Sequence, residues 1–501
     1  MIVSFKKQII CLAFISLNLS QEIPNEFMEF QTYKLLMDVG QNWDKNSTFG
    51  LPRFQSISNT DAKNWIRSDS LIIQTRAGIF TENNAIALYG FGHFSFKKHY
   101  YIYLYPRIVN DPEAFSRFSG IPRDITRAGF NSGETDLSGI GFQNDWMTLQ
   151  LGRGRESWGA GNEIHLALSE YSPSYDYGIL ELDFGRIRGK YIHGFLESTE
   201  EHINRYINAR AIEWTDRKSL LIGLSETVIY SGEGRPLDIA YLNPISNHLE
   251  VELNDRLNLV GADDANAVWQ VSIDWLPLKN LRLSWNLLYD EFVLDKIEFE
   301  NGKENGKAYS GRISYAPLMK KESFLTTYLS LITIGTPTFR HGNGYNNFVQ
   351  RKMPLGWQYG SDGREIKIGL NYFKRFNFII KLEAGSRVIG EESIASRPYD
   401  AYADYLKSMG ITPSDELLDT EDLYSFFDKQ AFEKGKTINT GVGIDELNQK
   451  IYDKLAEDMG PFSNDPLRNQ FETLTQEEFM SQNPDLFSKG TPTDVQSYGD
   501  L

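Results

Sequence analysis

Apolar and polar residues alternate along the chain from about residue 70 to residue 390. Within residues 268–275, Trp269, Val271, Ile273 and Trp275 alternate with Gln270, Ser272 and Asp274. Side chains on a strand point alternately to its two faces, so each such run predicts a strand with one apolar and one polar face. Residues 281–291, 366–372 and 376–383 repeat the pattern. Several runs have the roughly nine to eleven residues that a tilted membrane strand needs.

The pattern is clearest on either side of a glycine-rich stretch at residues 152–161. Before it, Met147, Leu149 and Leu151 fall on one face. After it, Leu180 and Leu182 fall opposite Glu181 and Asp183. The stretch therefore predicts a turn between two half-apolar strands, and residues 136–197 form the centre of the predicted sheet.

Two architectures fit this alternation: a soluble β-sandwich or propeller, and a transmembrane barrel with a polar lumen. Aromatic residues make up 13% of the chain, and a mean hydropathy of −0.40 excludes a helical membrane bundle. Long strands with Trp or Tyr near their ends favour the barrel. We therefore predict an all-β fold, a large antiparallel transmembrane barrel over residues 71–390. The predicted luminal side chains include Asp274, Arg282, Lys367, Lys381 and Glu383.

The first twenty residues predict an exported protein. Lys6 and Lys7 precede an apolar run at residues 9–17, and polar residues follow it. That order is typical of a cleaved signal peptide, and the run is too short to span a bilayer. Residues 21–70 are predicted to form a periplasmic or plug-like segment with a short helix near residues 26–38. Cleavage after about residue 20 would remove the single cysteine, Cys11.

The charge changes near residue 400. Residues 400–501 contain 21 acidic and 8 basic residues, so most of the net charge of −16 belongs to this tail. Apolar residues spaced by three and four occur at residues 402–409, 421–432 and 444–459. We therefore predict that residues 391–501 form an acidic extension that is helical or partly disordered. Its expected location is the periplasm, where it could bind a partner, and the strand at residues 377–388 would then be the last of the barrel.

The sequence shows no motif that carries catalysis. His-Glu-x-x-His, Gly-x-Ser-x-Gly and a phosphate-binding Gly-Lys-Ser/Thr loop are all absent. Asp290 and Glu291 are adjacent, and neighbours on a strand face opposite ways, which excludes a paired acid and base there. We therefore expect no enzyme, no cofactor and no metal site. The acidic balance also argues against a nucleic-acid partner.

Several short motifs resemble the capsule-assembly (Wzi) family of outer-membrane barrels. They are Leu151-Gly152-Arg153 with Trp158-Gly159-Ala160-Gly161, Leu166-Ala167-Leu168-Ser169, Gly223-Leu224-Ser225-Glu226 with Tyr230-Ser231-Gly232, Tyr241-Leu242-Asn243-Pro244-Ile245, Leu288-Tyr289-Asp290-Glu291-Phe292, and Pro354-Leu355-Gly356-Trp357 with Gly360-Ser361-Asp362. Their order follows that of the family over roughly residues 70 to 390.

The resemblance implies an outer-membrane barrel of about 18 strands that binds exported capsular or extracellular polysaccharide and attaches it to the cell surface. Sugar polymers are held by aromatic faces and by forked polar groups. The candidate binding residues in the matched motifs and the turn are Arg153, Arg155, Trp158, Glu226, Asn243 and Asp290. Each also has a structural alternative, as a turn, interface or ion-pair residue.

Two other functions remain open from the residues alone. One is a porin-like channel for small solutes or oligosaccharides, which an open lumen would support. The other is an exported glycan-active enzyme, which needs two carboxylates about 5 to 10 Å apart in one cleft. A lumen filled by side chains or by a folded-in loop would instead support the lectin.

Overall fold

A single β-sheet dominates the protein. The computed structural model describes residue 24, residues 27–50 and 66–395 with internal gaps, the longest at 254–264 and 291–305, and residues 495–500. The strands are β1 (Ile66–Arg67), β2 (Leu71–Glu82), β3 (Ala85–Phe96), β4 (Tyr100–Val109), β5 (Ser132–Gln143), β6 (Met147–Gly154), β7 (Tyr175–Asp183), β8 (Ile187–Phe195), β9 (Ile203–Thr215), β10 (Leu220–Glu233), β11 (Ala265–Leu278), β12 (Leu281–Asp290), β13 (Gly306–Met319), β14 (Ser323–Ile334), β15 (Val349–Gln350), β16 (Met353–Pro354), β17 (Gly363–Lys374), β18 (Phe378–Gly390) and β19 (Val495–Asp500).

The described residues form three short helices. They are α1 (Met28–Asp38), α2 (Ile239–Leu242) and α3 (His248–Leu253), with 3₁₀ turns at Trp43–Lys45 and Pro112–Ala114. Among these described helices, none is both long and apolar enough to cross a membrane. The predicted helix near residues 26–38 is confirmed as α1.

Seventeen strands form one antiparallel sheet in which each strand pairs with its neighbours in the chain. Only β15 and β16 stand apart as a small hairpin, so β14 pairs directly with β17. Strands that follow each other in the chain can pair in antiparallel fashion through a short hairpin turn, without a crossover connection. The prediction of a large antiparallel all-β fold is therefore confirmed.

The two ends of the sheet differ from the prediction. The described pairings end at β1 and β19 and do not join these two edges, so within the described residues the barrel is not closed. We expected residues 377–388 to form the last strand, but β19 pairs with β18 from Gly390↔Val495 to Gly385↔Asp500. The last residues of the chain thus belong to the sheet. The predicted signal peptide and the predicted tail helices lie outside the described residues.

The two faces of the sheet are inverted relative to a soluble protein. Along β12, Arg282, Ser284 and Asn286 are buried, whereas Trp285 and Leu287 between them are exposed. Other strands repeat this arrangement, with Gln270, Ser272 and Asp274 buried on β11. Exposed apolar side chains recur in this way on most of the long strands, and soluble monomers rarely expose large contiguous apolar patches. The exposed face has the composition of a surface that faces lipid.

Most of the exposed aromatic side chains of the described strands and turns lie toward one end of the sheet, whereas Phe195 and Tyr309 lie toward the other end. Those at the first end include Phe96, Tyr100, Trp146, Phe184, Trp214, Trp275, Tyr315 and Phe378. Each lies within a few residues of a short turn between two strands. Aromatic rings concentrate where a membrane meets water, because one part of the ring system is apolar and another polar. The short-turn end therefore resembles one rim of a membrane-embedded sheet.

Connection lengths separate the two ends of the sheet. Turns of two to four residues lie at one end, at 97–99, 144–146, 184–186, 216–219, 279–280, 320–322 and 375–377. At the other end, the two-residue turn 83–84 is accompanied by connections of seven to 31 residues at 110–131, 155–174, 196–202, 234–264, 291–305 and 335–362. Residues 391–494 also connect β18 with β19 at this long-connection end. Such asymmetry is a property of outer-membrane barrels.

Helix α1 is buried on two sides by distant parts of the sheet. Phe30, Tyr33 and Met37 pack in a cluster with aromatic residues of β3 and β4. Leu35 and Val39 pack with Ala316, Phe324 and Phe373 of β13, β14 and β17. A helix can reach both groups only if the sheet curves around it, so the polar face is concave and α1 occupies its interior. Gly40 ends the helix at φ +74°, a backbone conformation that favours glycine.

We predict that Leu287→Arg, near the middle of the exposed face of β12, destabilises the folded protein in a bilayer by about 2–4 kcal/mol, because a charge would face lipid. Folding into vesicles, followed by the shift in gel mobility between boiled and unboiled samples, measures this. The matched control is Leu278→Arg, which lies beside a short turn and should cost at most about 1 kcal/mol. Equal, negligible effects of both changes would show that water covers this face.

Candidate functional site

A buried ion-pair cluster fixes residues 27–50, here called the inner segment, inside the curved sheet. The Asp38 carboxylate accepts hydrogen bonds from Arg312 Nη2 at 2.6 Å and Ser314 Oγ at 3.0 Å, and Arg282 Nη1 lies 3.8 Å away. Arg282 also donates to Asp274 at 2.6 Å. Asp38, Arg282 and Arg312 are all at most 4% exposed. Removing one member of such a buried pair is strongly destabilising, so this cluster holds α1 in place.

The second half of the inner segment is held by β8, β9 and β11. Glu213 accepts from Thr48 N at 2.6 Å and from Thr48 Oγ1 at 2.9 Å. Asn46 Nδ2 donates to Asp274 at 2.7 Å, and Arg188 donates to Asn46 O and Asp44 O. Hydrogen bonds and ion pairs therefore hold the inner segment against strands from β8 to β13.

Residues 155–174, the inner loop, fold into the same interior from the long-connection end. Asn286 accepts from Ala160 N at 2.7 Å and donates to Ala160 O at 2.9 Å, while Ser310 Oγ donates to Ile164 O at 2.7 Å. Gly159 N donates to Thr48 O at 2.7 Å, which joins the loop to the inner segment. The glycine-rich stretch thus forms an inward-folded loop, because polar side chains on β12 and β13 satisfy its backbone.

Two of the sequence motifs meet inside the sheet. Trp357 N donates to Leu166 O at 3.1 Å, and Ser169 N donates to Leu355 O at 2.9 Å. A Cβ at Gly356 would lie 1.7 Å from Leu166 O, so this close approach requires glycine. The connection 335–362 therefore also folds inward and packs against the inner loop.

Another pair of motifs packs at the connection between β10 and β11. The rings of Tyr230 and Tyr241 stack at 4.6 Å, and both side chains are fully buried. Glu226 accepts from His248 N and from Trp269 Nε1, each at 2.9 Å, and lies 3.2 Å from Arg210 Nε. These contacts fold α2 and α3 over the polar face of the sheet.

A cavity of about 420 Å³ remains between α1 and the inward-folded connections. Its lining combines aromatic, amide and charged groups: Phe30, Gln31, Lys34, Arg117, Glu163, Glu170, Tyr171, Met353, Pro354, Gln358 and Lys381. The volume falls within the roughly 300–1,000 Å³ of small-molecule sites. We take this cavity as the candidate functional site.

The cavity carries separated charges at neutral pH. Burial opposes ionisation of Glu163, but Lys34, Arg312 and Lys381 outweigh it and lower the pKa of this carboxyl to about 2. Burial likewise opposes ionisation of Glu170, and Lys34 together with His165 lowers its pKa well below the usual range. Burial and then the two glutamates raise the pKa of the Tyr171 phenol, so it stays neutral. Both carboxylates are therefore acceptors only, and Tyr171 keeps a hydroxyl that can donate.

Three of the six predicted binding residues lie at or near the inner loop. Trp158 is 2% exposed, packs on Phe49 and donates to Glu156 Oε2 at 3.0 Å. Arg155 is buried against Asp136. Arg153 donates to Thr135 O and to Asp176, both at 3.0 Å, at the end of β6.

The other three are spread over separate connections. Glu226 is buried beneath α3, as described above. Asp290 is buried and accepts from Phe339 N. Asn243 is exposed, and its side chain bonds Ile245 N and Ser246 Oγ in a local turn. Polysaccharide binding by these six residues stays a prediction, and five of them have partners that shape the inner surface or the end of β6.

Sequence reasoning missed most of the cavity. Lys34, Glu163, Glu170 and Tyr171 lie outside the strand pattern, and no short motif joins them. Lys381 was predicted to face the lumen, and its hydrogen bond to Gln31 of α1 at 2.6 Å confirms this. One sequence feature could have indicated the cavity: the predicted helix of the plug-like segment carries charged residues among its apolar ones.

We predict that Trp158→Ala lowers the stability of the folded protein by about 3–5 kcal/mol, because it leaves a cavity beneath the inner loop and removes a hydrogen bond to Glu156. The temperature at which the unboiled gel form disappears measures this. Trp146→Ala is the control, since Trp146 is 48% exposed on the outer face. A Trp158→Ala protein as stable as the control would contradict a packing role for this residue.

No family model matches this sequence, and a comparison with curated proteins found no match. Among solved structures, the chain is similar to Wzi of Escherichia coli, an outer-membrane protein involved in group 1 capsule assembly and described as a carbohydrate-binding β-barrel. The identity is 13%, with 65% of this chain and 72% of that chain covered and a TM-score of 0.45. It is also similar to a loop-deletion mutant of OmpT of Vibrio cholerae (8% identity, 64% and 91% covered, TM-score 0.33) and to OprD of Pseudomonas aeruginosa (9%, 66% and 91%, 0.28). These values do not establish a shared family or a shared function.

Proposed function

We propose that this protein is an outer-membrane barrel that binds exported polysaccharide and does not act as a channel. The observation that carries the proposal is the filled interior: the inner segment, the inner loop and the connection 335–362 occupy the space inside the curved sheet. A porin needs a continuous water-filled path along this space. The ordered motifs that resemble the Wzi family support the polysaccharide assignment.

The outer-membrane location is supported by three features of the sheet. Its outward face is apolar, its short-turn end carries exposed aromatic rings, and its connections are short at one end and long at the other. The predicted export signal agrees with this location. A sheet that faces lipid must satisfy its backbone internally, and the antiparallel pairing between neighbouring strands does so for every described strand of the sheet except at the edges β1 and β19.

The contents of the interior also favour binding over transport. Buried ion pairs of Asp38 with Arg282 and Arg312 fix the inner segment to β12 and β13. The cavity that remains is lined by ring faces, amides and charged groups, which are the groups that hold sugars. Among the described residues, no group of three or more histidine, cysteine, aspartate or glutamate side chains is arranged to hold a metal ion.

The direct test of the assignment is binding. Full-length protein purified in detergent should retain the exported polysaccharide purified from the cells that produce the protein, as measured by co-sedimentation. A variant of matched folding, such as Leu278→Arg, should bind equally well because it changes only the outer face. Failure of correctly folded protein to retain any polymer would remove the lectin assignment.

We predict that the wild-type protein gives no steady conductance in planar bilayers, whereas Asp38→Asn gives intermittent current. The change deprives Arg282 and Arg312 of a buried counter-charge, which costs about 3–5 kcal/mol and loosens the inner segment. Asp44→Asn is the control, because Asp44 is an exposed residue of the same segment and its described contacts use the backbone carbonyl. Steady, large conductance of the wild-type protein would instead favour the channel.

A further inference from the structure

The cavity described above has a charge imbalance that bears on the ligand it can hold. Its lining contains three cationic groups, Lys34, Arg117 and Lys381, and two carboxylates, Glu163 and Glu170. Because both carboxylates are ionised at neutral pH, the lining carries one net positive charge. A polar cavity of this kind favours a ligand with one compensating negative charge.

The positions of the three cations show where that charge would sit. Lys34 is paired with Glu170 and lies 3.6 Å from Glu163, and its side chain is 11% exposed. Arg117 Nη1 donates to the backbone carbonyl of Glu170 at 3.1 Å. Lys381 donates to the neutral amide of Gln31 at 2.6 Å and lies 3.7 Å from Glu163, and its side chain is 34% exposed. Lys381 is therefore the cation of this lining that an entering anion can approach most readily.

The remaining lining suits a pyranose ring. Phe30 and Tyr171 present aromatic side chains, Met353 and Pro354 add apolar surface, and Gln358 offers an amide group for hydroxyls. Sugars present apolar C–H faces and a rim of hydroxyls, so aromatic and amide groups complement them. The carboxylates Glu163 and Glu170 can accept from sugar hydroxyls as well.

We propose that the cavity binds a carboxylate-bearing sugar residue, a uronic acid or a sugar with an acidic substituent, and that Lys381 receives its carboxylate. This inference rests on the proposed polysaccharide-binding function and assigns its ligand class. A charge-assisted hydrogen bond from an ammonium group to a carboxylate supplies the selectivity over neutral sugars. The neighbouring aromatic and amide groups supply affinity that both kinds of sugar share.

The test uses the full-length protein in detergent and two forms of one probe. The probe is the exported polysaccharide purified from the producing cells, either native or with its carboxylates chemically reduced to alcohols. Reduction should weaken binding to the wild-type protein about tenfold, the effect of losing one charge-assisted contact. Lys381→Gln should weaken binding of the native polymer by a similar factor and leave binding of the reduced polymer unchanged.

Lys367→Gln is the matched control. Lys367 lies on the neighbouring strand β17, pairs with Glu365 at 3.4 Å and is outside the cavity lining, so this change should affect neither form of the polymer. Gel mobility of unboiled samples verifies that both variants fold. Raising the salt concentration should weaken binding of the native polymer by the wild-type protein more than by Lys381→Gln.

Each other outcome has a defined meaning. If neither form binds the wild-type protein, the proposed function fails and this inference fails with it. If both forms bind equally and Lys381→Gln has no effect, the protein binds polysaccharide but the carboxylate assignment is wrong. If Lys381→Gln weakens both forms equally, the anion that meets Lys381 is not a carboxylate, and the assignment is again wrong.

Discussion

The structure depends on supplying hydrogen-bond and ion-pair partners for the polar side chains that the sheet buries on its concave face. Inward-facing arginine, aspartate, glutamate and asparagine side chains line the concave face. Burying such a side chain away from water without a hydrogen-bond or ion-pair partner would cost several kcal/mol of folding free energy. The chain supplies those partners from its own inner segment and inward-folded connections. Asp38 between Arg282 and Arg312 is the clearest case, because one carboxylate from α1 balances charges on two strands. The filling of the interior and the curvature of the sheet are therefore aspects of one requirement.

The same requirement explains why the sequence motifs recur where they do. The glycine of Pro354-Leu355-Gly356-Trp357 allows contact with Leu166, and Asn286 bonds the backbone of the inner loop at Ala160. Tyr230 of β10 stacks on Tyr241 of α2, and Glu226 of β10 accepts from His248 N of α3. The motifs that resemble the Wzi family thus lie where connections fold back into the sheet. Packing accounts for most of their residues, which explains why the side chains of all six predicted binding residues have partners within the protein.

The sheet was predictable from the sequence because its signal is local. Alternation assigns both faces of β11 and β12 residue by residue, and the polar positions Asp274 and Arg282 face the interior as expected. The cavity was not predictable, because Lys34 and Glu170 are separated by 136 positions and come together only through the topology. The pairing of β19 with β18 was missed for a similar reason, since about one hundred residues separate the two strands. Local sequence patterns therefore predict the strands, whereas the cavity depends on contacts between residues that are distant in the sequence.

The missed pairing also bears on the orientation of the sheet in a membrane. β18 ends at Gly390, before the acidic segment 391–494, and β19 begins at Val495, after it, so these two strand ends lie at the long-connection end of the sheet. In outer-membrane barrels the short turns face the periplasm and the long connections face outward. A periplasmic location for this segment, as expected from the sequence, would therefore require the reverse orientation of the whole sheet. The aromatic rings at the short-turn end are compatible with either orientation, because both membrane interfaces attract them. Connection length is thus the feature of the sheet that bears on its orientation, and the periplasmic location of residues 391–494, most of which lie outside the described residues, stays a prediction.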